Sequence, residues 1–374
     1  MQPVDVTPSI PFLDLSRQYQ QIRAEVLRAV ETVFDATSFS GGPFVDAFER
    51  NFAQYVGTRY ALGVNNGTSA LHLAMRTLDI GPGDEVIVPA NTFIATAWAV
   101  SYVGATIRFI DCDPNTYQLD AAQLEACRSP RTKAIAGVHL YGQPFDVAAV
   151  RSFAQRNGLF LIEDCAQAQG ARYHGERVGG FGEIGCFSFY PGKNLGAYGE
   201  AGGITTNVAA YDARIRSLRQ HGMTERYYHD ELGYNMRMDA VQGAILDIKL
   251  RYLDVWNRRR RTIARRYQTE ITHPAVRMQQ QFEGTESVYH LFVVTVPDRP
   301  HFLTYLQRHG IFAGLHYPVP CHLQQAYAHL GHQRGEFPNA EYLAEHCVSL
   351  PMFAELTDEE VEYLIDVVNR YETT

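Results

Sequence analysis

The stretch Cys186-Phe-Ser-Phe-Tyr-Pro-Gly-Lys-Asn-Leu-Gly-Ala-Tyr-Gly-Glu-Ala-Gly202 decides the reading of this chain. An aromatic, strand-like run stops at Pro191-Gly192, and the first charged residue beyond the stop is Lys193. Glycines at 196, 199, 202 and 203 keep the following backbone thin. A lysine with an apolar wall behind it is partly desolvated, which lowers its pKa and frees a neutral amine to act as a nucleophile. A solvated loop lysine is the plain alternative. The rest of the chain has to decide between the two.

The 374 residues exceed what one core usually serves, and two domains are expected, residues 1–247 and 248–374. Hydrophobic residues make up 46% and charged residues 20%, as in a globular protein. With 33 basic against 41 acidic residues the formal charge is -8, which argues against nonspecific nucleic-acid binding. The six cysteines, at 112, 127, 165, 186, 321 and 347, form no C-x-x-C pair and no metal-type grouping with histidine. They read as reduced thiols in a cytoplasmic protein that holds no metal. Residues 1–11 lack a leader pattern, and no apolar run is long enough for a bilayer, so no membrane association is expected.

From residue 60 to 206, short apolar runs alternate with helical patterns. Strands are expected at 60–64, 85–88, 106–110, 133–139, 159–162, 186–189 and 203–206, with helices at 69–78, 94–103 and 146–157. That alternation means an α/β fold with a mostly parallel seven-stranded sheet in the larger domain. Upstream, residues 19–34 and 43–55 read as amphipathic helices. Downstream, 239–270 reads as one long helix, straight or bent, whose run Arg258-Arg-Arg-Arg261 lies on a solvated face. A strand at 289–296, a helix at 300–309, a strand at 311–316 and helices at 340–346 and 358–371 complete a smaller α+β domain.

Parallel sheets collect ligands at the carboxyl ends of their strands. The first strand ends in Asn65-Asn66-Gly67-Thr68-Ser69, with Thr68 or Ser69 as helix N-cap. Such a turn presents free amides and a positive dipole end to an anion, although it also serves as an ordinary strand–helix joint. The strand at 159–162 ends in Glu163-Asp164, an acidic pair that needs an arginine, a metal, a cationic heterocycle or a capping role; Gln167 follows three residues later. Phe93 follows another strand and can cover a flat ring or fill the core. Ser188 leads into Lys193 and can bond a phosphate or its own sheet. Together these supply an amine, a carboxylate, an aromatic cover and a phosphate cradle. Pyridoxal 5'-phosphate needs that set: a lysine for its aldehyde, an anion for its ring nitrogen, an anchor for its phosphate.

The chain resembles sugar aminotransferases of the DegT/DnrJ/EryC1/StrS family. The resemblance rests on Pro11-Phe-Leu-Asp-Leu15, Asn66-Gly-Thr-Ser-Ala-Leu71, Gly81-Pro-Gly-Asp-Glu-Val86, His139-Leu-Tyr-Gly-Gln143, Ile162-Glu-Asp-Cys-Ala-Gln167, Phe187-Ser-Phe-Tyr-Pro-Gly-Lys-Asn-Leu-Gly196, Gly233-Tyr-Asn-Met-Arg-Met-Asp239 and His316-Tyr-Pro318. It implies the aspartate-aminotransferase (type I) fold. Lys193 then corresponds to the Schiff-base lysine and Asp164 to the partner of the ring nitrogen. Gln167 lies beside the cofactor's 3-hydroxyl, and Phe93 stacks on the ring. Gly67, Thr68, Ser69 and Ser188 hold the phosphate, and Asn235 reaches it from the other subunit of a homodimer with composite sites. Relatives with histidine at the lysine position act as dehydratases, so Lys193 favours transamination. Gly199-Glu-Ala-Gly202 departs mildly from the Gly-Asp-Gly-Gly of many relatives.

The implied reaction moves an amino group from L-glutamate, which leaves as 2-oxoglutarate, to a keto sugar on a nucleoside diphosphate. The lead-in to Lys193, together with His316-Tyr317-Pro318, looks most like enzymes acting at C-3 of dTDP-3-keto-6-deoxyhexoses. Tyr190, His316 and Tyr317 are candidates for the sugar pocket, and Arg219 and Arg237 for the diphosphate or the donor carboxylate. A UDP-linked sugar, or amination at C-4, is the alternative within the class. Outside it stand a non-catalytic regulator on the same fold and a Rossmann oxidoreductase, the latter opposed by the missing G-x-G-x-x-G spacing.

Overall fold

A computed structural model describes residues 9–372; most of the 1–11 segment discussed above, residues 1–8, lies outside the described residues. Seven strands form the main sheet: β1 (Tyr60–Val64), β2 (Glu85–Pro89), β3 (Thr106–Ile110), β4 (Thr132–Val138), β5 (Phe160–Asp164), β6 (Ile184–Ser188) and β7 (Gly202–Thr206). Their order is β1-β7-β6-β5-β4-β2-β3. Strand β7 runs antiparallel to both neighbours, and the pairings among β6, β5, β4, β2 and β3 are parallel. Strands β2 and β4–β7 are almost wholly buried runs, as expected for a sheet covered on both faces.

Each crossover helix carries the apolar residues that bury it. Leu71, Leu73, Ala74 and Met75 of the helix Gly67–Thr77 join Ala97 and Val100 of the helix Ile94–Tyr102 in one core with Val64, Val86, Val88 and Ile162. The helix Val147–Asn157 covers the other face through Val150, Phe153 and Ala154 against Ile87, Ile135 and Leu161. The helix Pro43–Val56 packs on the helix Ala240–Leu250 where Gly243 has no side chain; a Cβ there would stand 3.0 Å from the Val45 backbone.

The stretch expected as one helix is two, Ala240–Leu250 and Leu253–Glu270. At the break the Tyr252 amide turns back to the Lys249 carbonyl at 3.0 Å. Arg251 and the Tyr252 hydroxyl both bind Glu25 of the first helix, Leu15–Asp35. The arginine run is not a uniformly solvated face. Arg258 is exposed, but Arg260 is 5% exposed and donates to the carbonyls of Tyr289, His290 and Met352.

A second core gathers Ile263 and Tyr267 with Phe292, Val294, Phe302, Val348, Leu364 and Val368. Its sheet pairs Arg277–Met278, Phe292–Thr295 and Cys347–Leu350, all antiparallel. The stretch 311–316 is not a continuous strand; Ile311 bridges Ile10 and Gly314 bridges Ser349, so pairing changes partner within four residues.

Replacing Arg260 with methionine leaves three carbonyls, that of Met352 buried, without this donor. The expected loss is roughly 2–4 kcal/mol, read as a lower urea midpoint. An unchanged midpoint would show that these bonds add nothing.

Candidate active site

The sheet topology makes an anion cradle. Because β7 is antiparallel, its first residue lies between the last residues of two parallel-running neighbours: Gly202 pairs with Val64 of β1 and with Ser188 of β6. An ideal Cβ on Gly202 would stand 2.4 Å from the Asn66 carbonyl carbon, and one on Gly67 would stand 2.7 Å from Ser188 Cβ. Only glycine allows this approach. The N-cap is Asn66, not Thr68 or Ser69: its side-chain oxygen accepts from Ser69 N at 2.8 Å. The carboxamide reaches back from extended backbone, so the Thr68 and Ser69 hydroxyls are not consumed in capping. Ser188 Oγ accepts only a long bond, 3.3 Å, from Tyr190 N. Ser188 is therefore drawn against the N-terminus of an eleven-residue helix whose first turn carries Thr68 and Ser69.

The acidic pair is divided by the two-residue alternation of a strand. Glu163 accepts from Gly179 N, Phe181 N and Gly182 N at 2.7–2.8 Å and faces His139 Nε2 at 3.1 Å. Burial opposes its charge, but these partners prevail and hold it below the usual carboxylate range. The ligand atoms of His139, Glu163 and Cys165 lie within 4.8 Å of one another, a proximity the cysteine spacing did not reveal. Both Glu163 oxygens are engaged by backbone amides and His139, which accounts for the group as a structural hydrogen-bond cluster. Asp164 takes Thr96 Oγ1 at 2.7 Å and Ala166 N at 3.0 Å. Burial pushes its pKa up, while these bonds and the Lys193 charge oppose the rise.

Lys193 sits on a turn closed by its own amide to the Tyr190 carbonyl at 2.8 Å. Next to it, Asn194 Nδ2 donates to Asn257 Oδ1 and the Val288 carbonyl, and Asn194 Oδ1 faces His290 Nδ1 at 3.2 Å. Burial draws the Lys193 amine down from the ordinary 10.5 to about 8, with Asp164 resisting. Burial and the Lys193 charge together hold His316 near 4 and His290 well below its usual value. Both imidazoles are neutral at pH 7.

Phe93 is half exposed and tilts on Tyr317 at 5.3 Å. Gln167 accepts from Tyr141 N at 2.6 Å and donates to the Tyr317 hydroxyl at 2.9 Å. His316 bonds Ser349 Oγ at 2.8 Å and stacks on Phe12. Tyr190 is 55% exposed. Arg219 differs from its expected part: its Nη1 binds Glu49 Oε1 and the Gly63 carbonyl, both at 2.6 Å, so its charge is balanced inside the fold. Arg237 bridges Val64 and forms no ion pair among the described residues. Asn235 is exposed and bridges Gln220. Thr96, His290 and Asn66 were missed from sequence. Thr96 lies one helical turn after Phe93, a spacing that puts it over the same strand end; His290 has no local signal.

The donor set fits pyridoxal 5'-phosphate: a desolvated amine, a buried carboxyl that accepts from Thr96 and the Ala166 amide, and a helix N-terminus brought by two glycines against Ser188. In cofactor-free protein, acylation of Lys193 by a trace of acetic anhydride, with acetate leaving, should show a midpoint near pH 8 rather than 10.5. A midpoint at the ordinary value would remove the electrostatic account of this amine.

Residues 20–369 match the model of the DegT/DnrJ/EryC1/StrS aminotransferase family. The dTDP-3-amino-3,6-dideoxy-alpha-D-galactopyranose transaminase of Aneurinibacillus thermoaerophilus is 45% identical over 97% of this chain and 99% of its own. The UDP-N-acetyl-3-dehydro-alpha-D-glucosamine 3-aminotransferase of Acidithiobacillus ferrooxidans is 43% identical over 97% of this chain and 98% of its own. The crystal structure of Streptomyces venezuelae DesV in complex with a ketimine intermediate superposes with a TM-score of 0.95 at 42% identity, covering 97% of this chain and 98% of that one. By sequence and fold alike, the chain belongs to the DegT/DnrJ/EryC1/StrS aminotransferase family.

Proposed function

We propose that this aminotransferase moves an amino group from L-glutamate to C-3 of a dTDP-linked 3-keto-6-deoxyhexose, within amino-sugar biosynthesis. One observation carries the reading: a low-pKa lysine on a pinned turn, electrostatically coupled to a buried aspartate, beside a phosphate cradle. Bound there, pyridoxal 5'-phosphate supplies the aldehyde that takes up the amino group and the ring that spreads the charge of the deprotonated carbon.

The chain's residues supply the rest. Gly67, Thr68, Ser69 and Ser188 hold the phosphate. Asp164, oriented by Thr96, keeps the ring nitrogen protonated. Phe93 covers the ring, and Gln167 stands beside it. Lys193 Nζ removes the proton from the glutamate α-carbon and, in the second half, delivers one to the sugar carbon that receives nitrogen. His316 stays neutral, so it adds no competing positive charge beside that amine. Tyr190, His316 and Tyr317 border the sugar, and Arg237 is the cation available to the diphosphate or to the donor carboxylate. A UDP-linked 3-keto sugar is the competing acceptor, because the relative bearing that name is nearly as similar as the dTDP-sugar one.

The working form in this reading is a cytoplasmic homodimer. Tyr227, Tyr228 and Leu232 are 75%, 66% and 87% exposed on the segment just before Asn235, a density of bare apolar surface that favours a partner chain. All six cysteines are free thiols, five of them buried, which suits a reducing compartment. Among the described residues no helix is long and apolar enough to cross a membrane.

Two experiments test this. Lys193→Ala should retain cofactor absorbance yet lose about 10³-fold or more in kcat, while wild-type enzyme loaded with amino group should discharge onto dTDP-3-keto sugar in preference to dTDP-4-keto or UDP-keto sugars. Full activity in the variant, or discharge onto none of the sugars, would sink the assignment. For the composite site, mixing Lys193→Ala with Asn235→Ala subunits should restore activity that neither shows alone, since one hybrid site is then intact. No restoration would mean that each chain builds its own site.

A further inference from the structure

A second buried lysine stands behind the first. Lys249, in the helix Ala240–Leu250, is wholly buried, and its Nζ donates to the carbonyl of Gly196, three residues after Lys193. The ammonium lies 4.6 Å from the ring centroid of Tyr198 and 6.0 Å from that of Trp256. The carboxylate of Glu355 faces it, with Arg260, Tyr198, Tyr19 and Gln18 completing the polar surroundings. Glu355 Oε1 and the Tyr198 hydroxyl are buried there without a hydrogen-bond partner.

Burying an alkylammonium is costly, and a core position could be filled by methionine or leucine. What the charge does here is bind the backbone of the Lys193 turn. Gly196 is where that turn folds back on itself: a Cβ there would stand 2.2 Å from the Pro191 carbonyl oxygen and 2.9 Å from that of Tyr190. Besides the backbone bonds of Lys193 N to the Tyr190 carbonyl and Ala197 N to the Phe189 carbonyl, the turn's neutral side-chain supports are amides: Asn194 to Asn257 and Val288, and Gln242, which takes Tyr198 N at 2.9 Å. Lys249 is the charged support. Its bond to a carbonyl is charge-assisted and works in a low-dielectric setting. The aromatic rings and Glu355 keep the ammonium in place without competing for the Gly196 carbonyl.

We infer that Lys249 is a positioning residue for transamination: through the Gly196 carbonyl it holds the turn that aims Lys193. This rests on the reading of Lys193 as the lysine that carries the cofactor. In this proposal Lys249 acts through the Gly196 carbonyl and not on substrate or cofactor. Burial also draws its own amine from 10.5 down to about 8, opposed by Glu355, so Lys249 remains mostly charged at neutral pH.

Lys249→Met keeps the length and apolarity of the stem and removes the donor. Two readouts separate aiming from plain stability. In the full chain without cofactor, the acylation midpoint of Lys193 should rise by about half a pH unit or more toward the ordinary value, because the freed turn exposes it. In the holoenzyme, kcat for amino transfer from glutamate should fall about 10-fold while KM changes by less than ~3-fold, as expected for a misaimed proton carrier. Glu355→Gln, nearly isosteric, should move the Lys193 midpoint in the same direction by a smaller amount, and it decides the matter if Lys249→Met does not fold. A lower melting temperature with Lys193 acylation and kcat unchanged in the folded variants would overturn the proposal and leave Lys249 a structural cation. Failure of the underlying reading would look different: Lys193→Ala would then stay active whatever Lys249 does.

Discussion

The close backbone contact at Gly202 is the constraint on which the rest depends. One antiparallel strand is inserted beside a parallel array, so its first residue has to lie between the ends of β1 and β6. That contact brings the helix N-terminus at Gly67 against Ser188 and puts the Lys193 turn beside both. A side chain at either glycine would separate the two strand ends and scatter the hydroxyls that form the cradle. The site is therefore a consequence of strand order before it is one of side-chain chemistry.

The electrostatics follow from burial. Taking Lys193 and Asp164 out of water weakens the charged form of each, and each partly restores the other. Thr96 and the Ala166 amide offset part of the rise that burial imposes on the aspartate, whereas the lysine is left with an amine that loses its proton readily. Two histidines crowd the same space, and both are kept neutral. The neighbouring Glu163 is engaged differently, in backbone amides and His139, which shows how adjacent carboxylates on a strand serve opposite faces. The surplus positive charge in the region belongs to Lys249 and Arg260, which bind carbonyls instead of ligands.

Much of this was legible in the residues. The alternation of apolar runs and helical patterns located the seven strands of the main sheet to within one or two residues, and Asp164, Gly67 and Lys193 were found as strand-end residues. What stayed hidden was non-local or depended on which of two neighbours wins a local contest. Asn66 outcompetes Thr68 and Ser69 for the cap because its carboxamide can reach the Ser69 amide from extended backbone. Arg260 and Arg258 look alike in a run of four, yet one lies under three carbonyls and the other is in water. Arg219, a candidate for the diphosphate or the donor carboxylate from sequence, is paired with Glu49, distant in sequence. Periodicity carried the two helices at 240–270 through a break imposed by anchoring to Glu25.

Two lysines in this chain share the same depressed range, and the cofactor is assigned to one of them, Lys193. That makes the identity of the modified amine the most direct measurement. The purified holoenzyme is reduced with borohydride, which fixes the cofactor to the amine that holds it, and the peptides are mapped by mass spectrometry. The account predicts a single pyridoxyl-modified peptide, carrying the label on Lys193. Label on Lys249 or on any other lysine, or no covalent label with cofactor still bound, would contradict it.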